Sequence, residues 1–241
     1  MTLKQKNITV AMDGVGGTIS MPLSLKLAMK MSGDVDHSVR VFFWTHGVWQ
    51  PIKDLTDRAH IEVKSDELYA LLSGLIADGH NVYLVAKSGG CIVALRALER
   101  LSLSGVDASV GSVVLLSPAI SPDYDLTAAL SAVSGSLHSF YSVYDRLYLD
   151  LGTTIFGTSD GVKGPSAGCI GFRPADADCG AGRQFQYAKL RQVPWHPSML
   201  KLLHVGLHLG NSMLPWLIRH VVPVLREGCA QNDFTKAAPV S

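Results

Sequence analysis

Apolar runs and turn residues alternate along most of the chain. Ile8–Met12 is a short apolar stretch ended by Asp13-Gly14-Val15-Gly16-Gly17, and reads as a strand. Pro22–Met31 places Leu23, Leu27 and Met31 four apart and predicts a helix. Val39–Thr45, rich in β-branched and aromatic residues, reads as a second strand. Asp66–Ala77 predicts a helix capped by Ser65 and closed by Gly79. Asn81–Lys87 is a third strand that stops at Ser88-Gly89-Gly90, and Cys91–Leu101 continues as a helix. Ser112–Ser117 is a fourth strand, Asp125–Val133 a short helix and Ser136–Tyr144 a fifth strand. A Gly-rich stretch, Gly152–Gly182, leads to a sixth strand candidate at Arg183–Arg191 and a closing helix at Met213–Leu225.

Continuous apolar strands separated by helices imply an α/β fold: a mostly parallel sheet of about six strands covered on both faces. Ligands in such sheets bind beyond the carboxyl ends of the strands. The loops that matter are therefore 13–17, 45–50, 88–90, 117–125, 145–160 and the stretch before the last helix.

Composition narrows the class. The 241 residues are 47% hydrophobic and 17% charged, which supports a sizeable core and excludes wholesale disorder. One domain over residues 1–230 with a polar tail over 231–241 is expected. The net charge of +1 gives no electrostatic footprint for nucleic acid or an anionic membrane. No run of about 18 apolar residues predicts a transmembrane helix. Polar residues 1–7 lead straight into the first strand, so no signal peptide is read and a cytoplasmic location is expected. Cys169 and Cys179 flank part of the Gly-rich stretch and would pair only in an oxidising compartment; Cys91 sits in an apolar run and reads as core. The oligomeric state is not legible.

The strongest chemical signal is Ala86-Lys87-Ser88-Gly89-Gly90. A serine on a tight strand-to-helix turn has its hydroxyl pushed out of the sheet, and small residues two before and two after relieve crowding. The Gly89 N–H then lies at a helix N-terminus, where negative charge is stabilised. The bland reading is a Ser-Gly-Gly turn without chemistry. A nucleophilic serine needs a second N–H donor, and the loop after the first strand supplies one: Val15, with Gly14, Gly16 and Gly17 letting the loop fold back. Phosphate cradling is the rival for this loop, but neither G-x-G-x-x-G nor a P-loop is present.

In the order Ser…Asp/Glu…His the acid follows the second strand after the elbow, which selects Asp145. Asp123 and Asp125 are runners-up, and Asp150 and Asp160 lie further on. The base is a late histidine. His208, flanked by Gly206 and Gly210, precedes the last helix; His196, His204 and His220 are rivals. The acid would fix the tautomer of His208, which would take the Ser88 proton and return it to the leaving group. Trp44 and His46, at another strand end, are expected to line the substrate pocket with Gly14. No metal-ligand spacing and no cofactor requirement is read.

These residues resemble the α/β-hydrolase superfamily over nearly the whole chain. Asp13-Gly14-Val15-Gly16-Gly17 is similar to the His-Gly-Ile-Gly-Gly loop of small bacterial lipases, and Ala86-Lys87-Ser88-Gly89-Gly90 to their Ala-x-Ser-x-Gly elbow. Trp44-Thr45-His46-Gly47, Asp54-Leu55-Thr56-Asp57, Ser117-Pro118-Ala119-Ile120-Ser121, Gly152-Thr153, Phe156-Gly157-Thr158 and Asp160-Gly161 resemble a group of bacterial hydrolase-like proteins. The resemblance implies a triad of Ser88, Asp145 and His208, oxyanion donors Val15 and Gly89, and hydrolysis of carboxylic esters. Acyl transfer, amide or thioester hydrolysis on the same triad, and a non-catalytic scaffold are the alternatives. Asp13 and Lys87 stand where histidines are common in the family, and are expected to pair beside the site. The short connection from Ser117 to Ser136 implies no cap domain. The 46–65 loop and the 146–182 insertion, a candidate flap, would shape the pocket.

Overall fold

The computed structural model describes residues 5–34, 37–105, 108–145, 158–173 and 181–227. Its strands are β1 (Asn7–Met12), β2 (His37–Val41), β3 (Asn81–Lys87), β4 (Val113–Leu116), β5 (Leu137–Tyr141) and β6 (Leu190–Pro194). They form one parallel sheet in the order β2-β1-β3-β4-β5-β6. The helices are α1 (Ser20–Met31), α2 (Pro51–Thr56), α3 (Arg58–Ala77), α4 (Gly90–Leu103), α5 (Thr127–Ser131), α6 (Ala167–Ile170), α7 (Ala181–Tyr187) and α8 (Leu214–His220). This is the parallel six-stranded α/β sheet anticipated from the strand and helix order.

The strand pleat explains why the apolar runs are continuous. Ile8, Val10 and Met12, with Val82, Leu84 and Ala86, pack against α3, α4 and α5. The intervening Ala11, Tyr83 and Val85 pack against α1 and α8 through Met21, Leu25, Met29, Trp216 and Leu217. Both faces are covered, so alternation between polar and apolar residues is lost in the central strands.

Several elements differ from the sequence pattern. Leu23, Leu27 and Met31 are exposed, whereas Met21, Leu25, Ala28 and Met29 are buried. Apolar residues at nearly every second position leave α1 with two plausible stripes, and the sheet selects the other one. Helix α3 starts a turn and a half or more before Ser65: the Asp57 carboxylate accepts the His60 N–H (3.0 Å) as its cap. Ser65 Oγ instead donates to the Ile61 carbonyl within the helix (2.7 Å). Strand β2 ends at Val41; Phe42 N–H still donates to the Ala11 carbonyl (2.9 Å), and Trp44 then turns inward. The segment beginning at Arg183 is helical rather than extended, and β6 starts only at Leu190. Its alternating Gln-Phe-Gln-Tyr imitates a strand, but the Tyr187 hydroxyl is drawn to the Leu126 N–H (3.0 Å), packing a helix against α5. The connection from Ser117 to Ser136 carries only the short α5. Asp150, Phe156, Cys179, Cys229 and the 231–241 tail lie outside the described residues, as does most of the candidate flap.

Strand β1 lies between β2 and β3, so successive connections leave it in opposite directions. The loops after β1 and β3 therefore lie at the switch point on the carboxyl edge, where ligands of such sheets bind. Those loops hold residues 13–17 and Ser88.

Candidate active site

Ser88 is still tied to the sheet through its N–H, which donates to the Leu116 carbonyl (2.9 Å). Its φ is then 50°, a left-handed conformation that a side chain disfavours by about 1–2 kcal/mol. The Ser88 carbonyl accepts from the N–H groups of Cys91 (3.1 Å) and Ala119 (3.2 Å), so α4 and the β4 loop together impose the bend. Among the described residues Ser88 Oγ makes no hydrogen bond. Gly14 lies directly against it: a β-carbon there would stand 3.0 Å from Ser88 Cβ and 3.5 Å from Oγ. A β-carbon on Gly89 would stand 2.8 Å from Val15 Cγ1. The 13–17 loop and the elbow are therefore in contact.

The N–H groups of that loop divide in an informative way. Gly14 N–H donates to Asp13 Oδ1 (2.9 Å) and Gly16 N–H to Asp54 Oδ2 (2.7 Å). Between them, Val15 N–H has no acceptor among the described residues, and neither has Gly89 N–H. The two donors expected for an oxyanion are both without an acceptor among the described residues.

Asp13 also accepts from Ser20 Oγ and the Met21 N–H at the start of α1. Burial pushes its carboxyl up, but the Lys87 charge and the N–H groups of Met21 and Gly14 outweigh it and hold it below the usual range. The expected Asp13–Lys87 ion pair is not formed. Lys87 Nζ donates to Ser212 Oγ instead (2.7 Å), and the two charges interact only at longer range. Burial lowers the Lys87 pKa, opposed by Asp13 and Asp145.

On the other side of Ser88, β5 runs into a 3-10 turn at Val143–Asp145 that buries Asp145 completely. Asp145 Oδ2 lies 2.9 Å from His208 Nδ1. A carboxylate only accepts, so Nδ1 carries a proton and donates it. No hydrogen bond joins His208 to Ser88 Oγ. The loop carrying His208 is fixed to three successive strand ends. Lys87, ending β3, holds Ser212; Ser117, after β4, accepts from Asn211 Nδ2 (2.6 Å); Asp145, after β5, holds His208. Buried His204 closes the loop on itself, with Nε2 against Asn211 Oδ1 (2.7 Å) and Nδ1 accepting from Gly206 N–H (3.1 Å). Burial, against the opposing influence of Asn211 and Asp145, lowers its pKa to about 4 and keeps it neutral.

The rivals have other duties. Asp123 pairs with Arg173, Asp125 with Arg183, and Asp160 accepts the Ser121 N–H. His196 caps a 3-10 turn through Ser198, and His220 packs against Phe140 and Trp216. Trp44, only 2% exposed, sits beneath the elbow with Nε1 donating to the Asp13 carbonyl (2.8 Å). His46 has both ring nitrogens against carboxylates and stacks on His60. Both residues are placed as supports. Asp54, Ser117, Asn211 and Ser212 were not singled out as site residues, because their roles are contacts across 38 to 125 residues. Among the described residues no cluster of three or more His, Cys, Asp or Glu is arranged to hold a metal ion, and no helix is long and apolar enough to cross a membrane.

The sequence matches no family model and no curated protein. Among solved structures the chain is similar to LpqC, a poly(3-hydroxybutyrate) depolymerase from Bordetella parapertussis, at 13% identity and a TM-score of 0.47, over 99% of this chain and 84% of that one.

Proposed function

We propose that the protein is a serine hydrolase of carboxylic esters. The observation that carries this is the buried Asp145 carboxylate holding Nδ1 of His208 at 2.9 Å, on the sheet edge where Ser88 is held at a φ of 50°. In the reaction, His208 Nε2 removes the Ser88 hydroxyl proton as Oγ attacks the ester carbonyl carbon. The carbonyl oxygen gains charge and is met by the N–H groups of Val15 and Gly89. Collapse expels the alkoxide, which takes the proton from His208 and leaves an acyl-Ser88 ester. Water, deprotonated by His208, attacks that ester; the carboxylic acid departs and Ser88 recovers its proton. Asp145 stabilises the imidazolium in both halves. Esters are preferred over amides because an alkoxide is the easier leaving group.

A fluorophosphonate probe and a panel of short-chain p-nitrophenyl esters test the reading, with amide and thioester panels alongside. Wild type is expected to be labelled at Ser88 and to turn over esters, and Ser88→Ala to do neither. Absence of labelling in wild type, or equal labelling of Ser88→Ala, would leave the scaffold reading instead.

A further inference from the structure

Among the described residues Val15 N–H is the one backbone donor of the 14–16 stretch without an acceptor, and the reason lies outside the loop. Its neighbours are taken by two carboxylates, Gly14 by Asp13 and Gly16 by Asp54. Asp54 belongs to α2, is fully buried, and collects three donors: Gly16 N–H (2.7 Å), His46 N–H (2.8 Å) and His46 Nδ1 (3.0 Å). It thereby ties the loop after β1 to the loop after β2. The two loops also touch through their backbones. Trp49 N–H donates to the Gly16 carbonyl (3.3 Å), and a β-carbon on Gly17, at φ +71°, would stand 2.7 Å from the Gly47 carbonyl.

Two carboxylates beside a site where negative charge develops would oppose the reaction unless each were compensated. Asp13 is offset by Lys87. For Asp54 the compensating group is His46. Its Nδ1 faces Asp54 Oδ1 and its Nε2 faces Asp57 Oδ2 (3.1 Å), both of which only accept, so the two contacts are satisfied together by an imidazolium. The other face of the ring stacks on His60 at 3.7 Å, whose Nε2 donates to the Trp44 carbonyl (2.6 Å) and so needs only a neutral ring. Asp54, Asp57 and His60 are the titratable groups in contact with His46.

We propose that Asp54, compensated by His46, is a positioning residue of the oxyanion site: it takes the Gly16 N–H so that the Val15 N–H points at the substrate oxygen. This rests on the serine-hydrolase reading above. It concerns no contact with substrate; Asp54 acts through the loop.

The test compares wild type with Asp54→Asn and Asp54→Ala. Turnover of a p-nitrophenyl ester, affinity for an arylboronic acid that forms a tetrahedral anionic adduct on Ser88, and amide hydrogen exchange over residues 14–17 are read together. Loss of one oxyanion donor costs on the order of 10²–10³-fold in kcat, and partial misorientation is expected to cost about 10–100-fold. The expected result is that fall in kcat, a matching loss of boronate affinity, KM within about threefold, and faster exchange of the Gly16 amide. A kcat and boronate affinity equal to wild type, or a loss confined to KM, overturns the proposal. If the Asp54 variants do not fold, His46→Gln reads the pair from its partly exposed side: an approximately fivefold or greater fall in kcat with a parallel loss of boronate affinity is expected. No change in either overturns it. A wild type that neither turns over esters nor takes the phosphonate removes the reading beneath the proposal, whereas an active wild type with unaffected variants removes the proposal alone.

Discussion

The two loops that approach Ser88 are secured in different ways. The loop carrying His208 is fixed at three points in its last five residues, 208–212, to the ends of β3, β4 and β5. Its anchors are part of the sheet. The 13–17 loop is held from outside the sheet, by Asp13 at its root and by Asp54 on α2 at its far side. A distributed attachment tolerates loss of one member, because the others still fix the backbone. The far side of the 13–17 loop has less in reserve, since beside Asp54 only a long Trp49 N–H bond to the Gly16 carbonyl (3.3 Å) holds it. Single substitutions should therefore damage the two sides differently: through chemistry or stability on the His208 side, and through geometry on the Val15 side.

The largest effect is expected where the His208 side meets the chemistry. Asp145→Asn keeps the shape of the side chain, but its amide donates to Nδ1 and moves the ring proton to Nε2. The imidazole then has no lone pair to offer Ser88. kcat should fall by about 10⁴-fold, the scale of the same change in a serine-protease triad. Thermal unfolding should change little, because Lys87 and Ser117 still hold the loop. Steady-state kinetics and calorimetry on one preparation check both halves. A fall in kcat matched by a collapse of the melting temperature would mean that Asp145 is the structural anchor and the attachment is not distributed.

Acid separates the sides next. His204 has a pKa lowered to about 4 by burial, from an ordinary value of 6.5. Below pH 6.5 the unfolded chain takes up a proton that the folded loop refuses, so stability falls as pH drops from 6.5 to about 4 and levels off beneath it. The loss is on the order of 3 kcal/mol. His37, lowered to about 4 chiefly by burial, adds a similar loss at the opposite end of the sheet. Asp13, held below its usual range, keeps its attachment through this window. The His208 loop should loosen before the 13–17 loop. Urea unfolding of wild type and His204→Gln between pH 7 and 4 should differ in slope, with His37, His138 and His220, all lowered by burial, contributing to the remainder; parallel curves would refute the assignment.

How much of this could be read from the chain depends on the range of the interaction. β1, β3 and the elbow were legible because apolar runs end abruptly at Gly-rich turns, a local signal. Asp145 and His208 were legible because the strand order places them on the same edge, and their contact follows that expectation. The start of α3 was not, since Ser65 breaks the apolar stripe of Ile61, Leu68, Leu72 and Leu75 and itself resembles a cap, while the actual cap, Asp57, lies eight residues earlier. Which face of α1 is buried was not legible, because its two faces are nearly equally apolar. The Asp54 clamp was hidden for a stronger reason. Asp54 falls in a segment that carries the resemblance, but only the folded chain brings the Gly16 N–H, 38 residues away, to its oxygen.

A smaller effect probes the distributed side without touching the proposed triad. Asn211 joins His204 to Ser117, and Asn211→Ala would strand a buried imidazole N–H and a buried hydroxyl. Each lost partner costs about 1–3 kcal/mol when the group remains buried, so a clear drop in the urea midpoint is expected. kcat should fall by less than about tenfold, since Lys87–Ser212 and Asp145–His208 persist. A loss of activity as deep as that of Asp145→Asn would show that Asn211 alone sets the position of His208.

The smallest effect sharpens the claim about the Val15 side. His46 lies between a buried carboxylate, Asp54, and a partly exposed one, Asp57, at nearly equal distances of 3.0 and 3.1 Å. Distance alone gives them equal weight; burial does not. A charge pair open to solvent contributes about 0–1 kcal/mol, whereas a buried carboxylate stripped of its partner is left unsatisfied in a medium of low polarity. Asp57→Asn keeps the cap on α3, since asparagine caps as well as aspartate, and removes only the outer charge on His46. It should shift stability by less than about 1 kcal/mol and kcat by less than about threefold, against the much deeper loss expected for Asp54→Asn. Equal losses in the two variants would mean that His46 is held by net charge rather than by the buried contact, and that the loop bearing Val15 is steered by the cation rather than by the Gly16 hydrogen bond.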